Sequence, residues 1–240
     1  MWSGPRNLST AMMRSWENRP DTAVLDEPLY AAYLAATGSD HPGADEIIAD
    51  GHADYAEAIA HCVSHADAPV SYQKHMAHHL PVGDTGDIGD TGLGWLGEFR
   101  NCLLLRDPRR VLASYTKVRE AVTLEEIGVP QQVALADHCE IIIDSDDFLV
   151  DPAIHQREIC RRLGVPLDDE LLASMLAWPA GPRRSDGIWA PHWYSAVESS
   201  TGFAPPPAGR PPGLPPHLET IADEALESYR ELRQRRLVTS

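Results

Sequence analysis

Short apolar runs that end in charged residues and open into helical patterns constrain this 240-residue chain most. Asn101-Cys102-Leu103-Leu104-Leu105 runs into Arg106-Asp107-Pro108, and Glu140-Ile141-Ile142-Ile143 ends at Asp144. Thr22-Ala23-Val24-Leu25 ends in Asp26-Glu27-Pro28, and Pro69-Val70-Ser71-Tyr72-Gln73 runs into Lys74-His75. Continuous apolar runs of this length suit strands buried on both faces of a parallel sheet. Between them lie helical stretches: Leu8 to Trp16, Leu29 to Ala36, Asp45 to Ser64, Leu124 to Cys139, Asp147 to Leu163 and Leu167 to Leu176. The alternation predicts a three-layer α/β fold, a mostly parallel central sheet flanked by helices. Only Met1-Trp2-Ser3 is left for the first strand, so either the start site is mis-assigned or the edge of the sheet is unusually short at this end. Ligands in such sheets bind at the carboxyl ends of the strands, so Arg6, Glu27, His75 and Arg106 are expected on one rim.

The chain reads as an α/β domain over 1–203, a stiff Pro-rich connector over 204–216, and a terminal amphipathic helix within 217–240. That helix is expected to pack on the domain or on a partner, and a homodimer is compatible with it. The repeated Gly-Asp pattern between Val82 and Gly97 has no apolar periodicity and reads as a loop, without calcium-binding spacing.

A net charge of −16 argues against nucleic-acid and anionic-membrane partners. An acidic protein that binds a polyanion must gather its cations locally, and Arg6, Arg106, Arg109 and Arg110 are the candidates. Of these, Arg109 and Arg110 read as a solvated helix face. There is no apolar run of membrane-spanning length and no secretory leader pattern, which points to a cytoplasmic protein. Cys62, Cys102, Cys139 and Cys160 are scattered and read as reduced thiols. His75, His78 and His79 lack metal-ligand spacing, so no metal is expected.

The stretch Gly4-Pro5-Arg6-Asn7-Leu8-Ser9-Thr10 places a turn, a guanidinium and paired hydroxyls at the start of a helix whose apolar face is Leu8, Ala11, Met12, Ser15 and Trp16. First-turn amides, the helix dipole, Arg6, Ser9 and Thr10 together suit a phosphate-like anion. At the second junction, Arg106 closes a strand, Pro108 suits the first turn of the next helix, and Ser114 follows two turns later.

These two segments resemble the nucleotide-binding motifs of sulfotransferases that use 3′-phosphoadenosine 5′-phosphosulfate (PAPS). Arg106 and Ser114 match the Arg-x-Pro-(x)5-Ser pattern of the 3′-phosphate segment. Pro5, Arg6, Asn7, Leu8, Ser9 and Thr10 match the 5′-phosphosulfate loop, with Arg6 where many members have Lys. The resemblance implies a fold of P-loop nucleotide-binding type and sulfuryl transfer from PAPS to a small hydroxyl or amine acceptor, with 3′,5′-ADP as product and no metal requirement. It also implies two candidates for the base. Tyr72-Gln73-Lys74-His75-Met76 resembles the segment that carries the catalytic His, with Lys74 beside it, and Leu25-Asp26-Glu27-Pro28 resembles the Glu-Pro segment of members with a Glu base. His75 is the favoured base and Glu27 the second candidate. Arg183 and Arg184 stand where relatives close the nucleotide site with a basic loop, and Trp178, Trp189 and Trp193 are candidates for an acceptor pocket.

Two other classes remain open. Ile141-Ile142-Ile143-Asp144 resembles a Walker B strand, as in an ATP- and magnesium-dependent phosphotransferase, although no G-x-x-x-x-G-K-[ST] loop is present. The other is a nucleotide-binding module without catalysis.

Overall fold

The computed structural model describes residues 1–65, 68–80, 92–116, 122–206, 208–209, 211 and 213–239. In chain order, β1 (Trp2–Ser3) leads by a turn into α1 (Ser9–Glu17), and β2 (Thr22–Asp26) into α2 (Tyr30–Thr37). α3 (Ala44–Asp50) and α4 (Tyr55–Ser64) precede β3 (Val70–Met76); β4 (Cys102–Leu105) runs into α5 (Pro108–Tyr115). α6 (Val129–Leu135) leads to β5 (Ile141–Asp144), followed by α7 (Ser145–Val150), α8 (Pro152–Leu163), α9 (Asp169–Leu176), α10 (Ala190–Trp193), α11 (Ser195–Glu198) and α12 (Pro216–Gln234).

Among the described residues the strands form one five-stranded sheet in the order β2-β3-β1-β4-β5, and every pair is parallel. The alternation predicted from the sequence is therefore present. The edge expected at Met1-Trp2-Ser3 is corrected: β1 is the middle strand, with Trp2 opposite His75 on one side and Leu103 on the other. Two residues suffice because longer strands hold them from both sides.

Side-chain period two divides the core into two layers. Leu104, Ile141 and Ile143 join Met12, Met13, Trp16, Phe148 and Ile159 on one face, while Leu103, Leu105 and Ile142 join Trp2, Leu29 and Leu135 on the other. The apolar runs of β4 and β5 are buried because helices cover both faces.

Several helices are shorter than their periodicity predicts. The stretch Asp45 to Ser64 is two helices: α3 ends at Gly51, and Asp54 caps α4 by accepting from the amides of Ala56 and Glu57. The stretch from Asp147 breaks at Asp151, which caps α8 just before Pro152. Of Leu124 to Cys139, Val129–Leu135 is α-helical, entered through Gly128 at φ 72°, and continues as a single 3₁₀ turn over Ala136–His138. The loop expected over 82–97 lies partly outside the described residues; within it, Gly94–Glu98 forms 3₁₀ turns.

α12 lies against the domain. Leu218, Ala222 and Ala225 pack with Val111, Leu112 and Tyr115 of α5 and with Ile127. Arg109, expected on a solvated face, makes surface ion pairs there with Glu219 at 2.7 Å and Asp223 at 2.9 Å. At the other end, the buried Asp144 accepts from Tyr229 Oη at 2.6 Å and Arg233 Nε at 3.0 Å.

Candidate anion cleft and active site

The β1–α1 turn fits only a glycine at position 4: a Cβ there would sit 2.8 Å from the Ile127 carbonyl and 2.9 Å from Gln132 Nε2. Asn7 fixes the turn by donating to the Leu104 carbonyl at 2.8 Å and accepting from the Leu8 amide at 2.7 Å. α1 begins with no side-chain cap and no acidic residue in its first turn, so its amino end keeps its positive potential. Arg6 reaches Ser114 Oγ through Nε at 3.1 Å, and Arg106 donates through Nη1 to the Arg6 carbonyl. Thus the two motifs, a hundred residues apart in sequence, meet at one place.

Pro5, Arg6, Asn7, Leu8, Ser9, Thr10, Arg106 and Ser114 all line a cleft of about 340 Å³ at the carboxyl end of the sheet. Among the described residues no carboxylate lies within ion-pair distance of Arg6 or Arg106. Burial, with Arg110 and Arg6 nearby, lowers the Arg106 pKa against the pull of Asp146. Two unneutralised guanidiniums in a chain of net charge −16 mark a site for an anion.

The other end of the cleft is built on Glu27. The described non-glycine residues with positive φ are Arg6 (55°) and Glu27 (42°), and both line the cleft. Such strain persists where the surrounding structure enforces it, and it clusters at functional sites. Lys74, buried in β3, donates to Asp26 Oδ1 at 2.9 Å, to Glu27 Oε1, and to Tyr194 Oη at 2.6 Å. Tyr194 Oη donates onward to Asp26 Oδ2 at 2.7 Å and takes a hydrogen bond from Trp189 Nε1 at 3.1 Å. One ammonium thus serves two carboxylates. Burial pushes the Glu27 carboxyl up; Lys74 pulls it down and Asp26 adds to the rise. Burial opposes protonation of Lys74 too, but Asp26 and Glu27 outweigh it and raise its pKa.

His75 is not part of this cleft, which corrects its expected place. Lys74 and His75 lie inside β3 rather than after it, so they point to opposite faces. Lys74 faces the cleft, whereas His75 stacks on Trp2 with centroids 4.3 Å apart and bonds Gln73 Oε1 at 3.1 Å. With Trp95 it borders a separate cavity, and burial lowers its pKa well below the usual histidine value.

Arg183 and Arg184 are likewise not brought to the cleft. The 181–187 segment folds back on α1: Asp186 accepts from the Arg183 amide and from Arg14 Nη2, both at 2.7 Å. Arg183 Nη2 turns to the Pro179 carbonyl at 3.2 Å, and Arg184 is exposed. Of the three tryptophans, Trp193 lines the cleft, while Trp178 and Trp189 are buried. The Walker-like Asp144 is committed to capping α7 and to α12. Among the described residues no group of three or more His, Cys, Asp or Glu is placed to hold a metal ion. Nor is any described helix long and apolar enough to cross a membrane.

Sequence reasoning missed Tyr30, His41 and His79, which line the cleft beside Glu27. His79, considered in the sequence as a metal ligand, is buried between Tyr30 and Tyr33, with ring centroids 4.5 and 4.9 Å away.

A parallel α/β sheet carries, in one cleft, an uncapped helix amino end, a second arginine anchored on the first turn and a buried carboxylate. The sulfotransferase-domain family profile matches residues 1–235, and the chain belongs to that family. It is similar to two proteins of Arabidopsis thaliana. It is 34% identical over 97% of its length to branched-chain-amino-acid aminotransferase-like protein 2, covering 40% of that protein. It is 36% identical over 85% of its length to branched-chain-amino-acid aminotransferase-like protein 1, covering 36% of it. The chain therefore spans well under half the length of these relatives.

Proposed function

We propose that this chain transfers a sulfuryl group from PAPS to a small hydroxyl or amine acceptor, with Glu27 as the base. The donor brings an activated sulfuryl group whose departure leaves 3′,5′-ADP. Arg106 and Ser114 hold the 3′-phosphate in this reading. The first-turn amides of α1, Arg6, Ser9 and Thr10 hold the 5′-phosphosulfate, in the family pattern. Glu27 Oε2 accepts the acceptor's proton as the acceptor oxygen or nitrogen bonds to sulfur. The bond from sulfur to the bridging oxygen breaks, and Arg6 stabilises the charge left on the 5′-phosphate.

The observation that carries the reading is the division of Glu27. Its Oε1 is held by Lys74, while Oε2 makes no hydrogen bond to any described residue, and Glu27 lines the cleft. A raised carboxyl is a stronger base than an ordinary one. His75, by contrast, is stacked on Trp2 on the other face of the sheet. The test is PAPS turnover by Glu27→Gln and His75→Ala over a panel of small alcohols, phenols and amines. We expect the Gln variant to lose turnover while 3′,5′-ADP still binds, and the Ala variant to keep most of it. The reverse pattern overturns Glu27 as base.

A further inference from the structure

The unbonded oxygen of Glu27 has a partner that the sequence reading passed over. His79 follows β3 in a 3₁₀ turn, and its Nε2 lies 4.0 Å from Glu27 Oε2. That distance is too long for a direct hydrogen bond. It is the separation of two groups that share a third atom: an oxygen about 2.8 Å from each fits between them with ordinary hydrogen-bond lengths.

The tautomer of His79 follows from burial. Its Nδ1 is buried and has no hydrogen-bond partner. A neutral imidazole carries one proton, and an N–H buried without an acceptor loses a full hydrogen bond to water. The ring is therefore more stable with the proton on Nε2, on the side of Glu27 Oε2. Burial, together with His78, His41, Lys74 and His75 nearby, holds its pKa well below the usual value, so it stays neutral. The faces of Tyr30 and Tyr33 lie nearly parallel to it at 10° and 26°, and fix its orientation.

We propose that His79 Nε2–H is a hydrogen-bond donor to the acceptor's nucleophilic oxygen, holding it against Glu27 Oε2 while that carboxylate takes its proton. The pair forms a two-pronged notch: the hydroxyl donates to Glu27, accepts from His79 through one lone pair, and attacks sulfur with the other. His79 gains and loses no proton, so the proton balance of the transfer is unchanged. A hydroxyl fits this notch better than an ammonium, which offers no lone pair to Nε2–H. This deepens the Glu27 reading and rests on it.

The test uses the full chain. In the 3′,5′-ADP complex, ring-nitrogen NMR on ¹⁵N-histidine-labelled protein reports the His79 tautomer, with His79→Gln providing the assignment. The expected signal is a neutral ring protonated at Nε2; a ring protonated at Nδ1 or charged overturns the proposal, whatever acceptor is used. With PAPS and 2-naphthol as the probe acceptor, His79→Gln keeps an amide N–H near the Nε2 position, whereas His79→Asn places one near Nδ1. Gln should retain turnover within about 3-fold, and Asn and Phe should lose about 10- to 100-fold in kcat/KM, the scale of a lost hydrogen bond to a charged group. Affinity for 3′,5′-ADP should be unchanged in all three. Wild-type turnover in His79→Phe, or equal losses in Gln and Asn, overturns the role of His79. Full turnover in Glu27→Gln overturns the base itself, so the two failures are told apart.

Discussion

Arg106 donates to the backbone carbonyl of Arg6, and Arg6 donates through Nε to Ser114 Oγ at 3.1 Å. The end of β4 and the turn after β1 are thereby tied together, and Arg6 is near enough to add to the burial that lowers the Arg106 pKa. In the proposed reading the phosphates of a bound nucleotide offset that cost.

Replacing Arg106 with Ala should therefore weaken 3′,5′-ADP binding by about 1.5–3 kcal/mol, the usual worth of a hydrogen bond to a charged group. Because Arg106 is assigned to the 3′-phosphate, 5′-AMP should lose far less. Calorimetric titration of both nucleotides measures the difference, and equal losses would remove that assignment.

Lys74 is the only described cation in contact with both Asp26 and Glu27. Lys74→Met fits the space but leaves two buried carboxylates without it. Breaking a buried pair from one side costs about 3–5 kcal/mol. Thermal unfolding at neutral pH should show a large drop in Tm, partly restored by adding Asp26→Asn. No restoration would mean that lost packing, not lost charge, sets the cost.

Much of this site was legible in the sequence because its parts are local: a turn before a helix, and a strand ending in Arg-Asp-Pro. Arg6 and Arg106 were placed on one rim because each closely follows a strand, and Ser114 came with the resemblance to the 3′-phosphate segment. The parts misread depend on where an element ends. β3 runs to Met76, three residues past the end expected at Gln73, and period two then sends Lys74 to the cleft and His75 away from it. Arg183 looked like a loop cation, but Asp186 ties its amide and Arg14 into one turn on α1. His79 had no sequence signal of its own, since its surroundings come from α2, far away in the chain. The middle position of β1 was hidden for the same reason: sheet order is a property of pairing between distant segments.

Arg6 takes a role distinct from Arg106 in this reading, because charge develops on the 5′-side bridging oxygen during transfer. Arg6→Ala should lower kcat more than it weakens 3′,5′-ADP binding, since an interaction that strengthens in the transition state is lost mostly from the rate. The same assays run with EDTA should proceed at the wild-type rate, because the guanidiniums and helix amides carry the charge. Strict dependence on magnesium would instead place the chain among phosphotransferases.

The raised Glu27 carboxyl makes two linked predictions about pH, both from burial beside Asp26. As a base it works only when ionised, so kcat/KM should rise with pH through an apparent pKa above the ordinary glutamate value of about 4.3. For stability, a carboxyl raised by folding binds its proton more firmly in the folded state than in the unfolded one. Its contribution is present at low pH and is lost as pH climbs from about 4.3 through the raised folded value. Glu27→Gln stays neutral throughout and has no such loss. The Tm of wild type relative to Glu27→Gln should therefore fall across that interval and level off above it. A Tm difference that stays flat with pH, or a rate profile whose acid limb sits at the ordinary glutamate value, would show that Lys74 neutralises Glu27 fully and that the carboxyl enters the reaction as an unperturbed base.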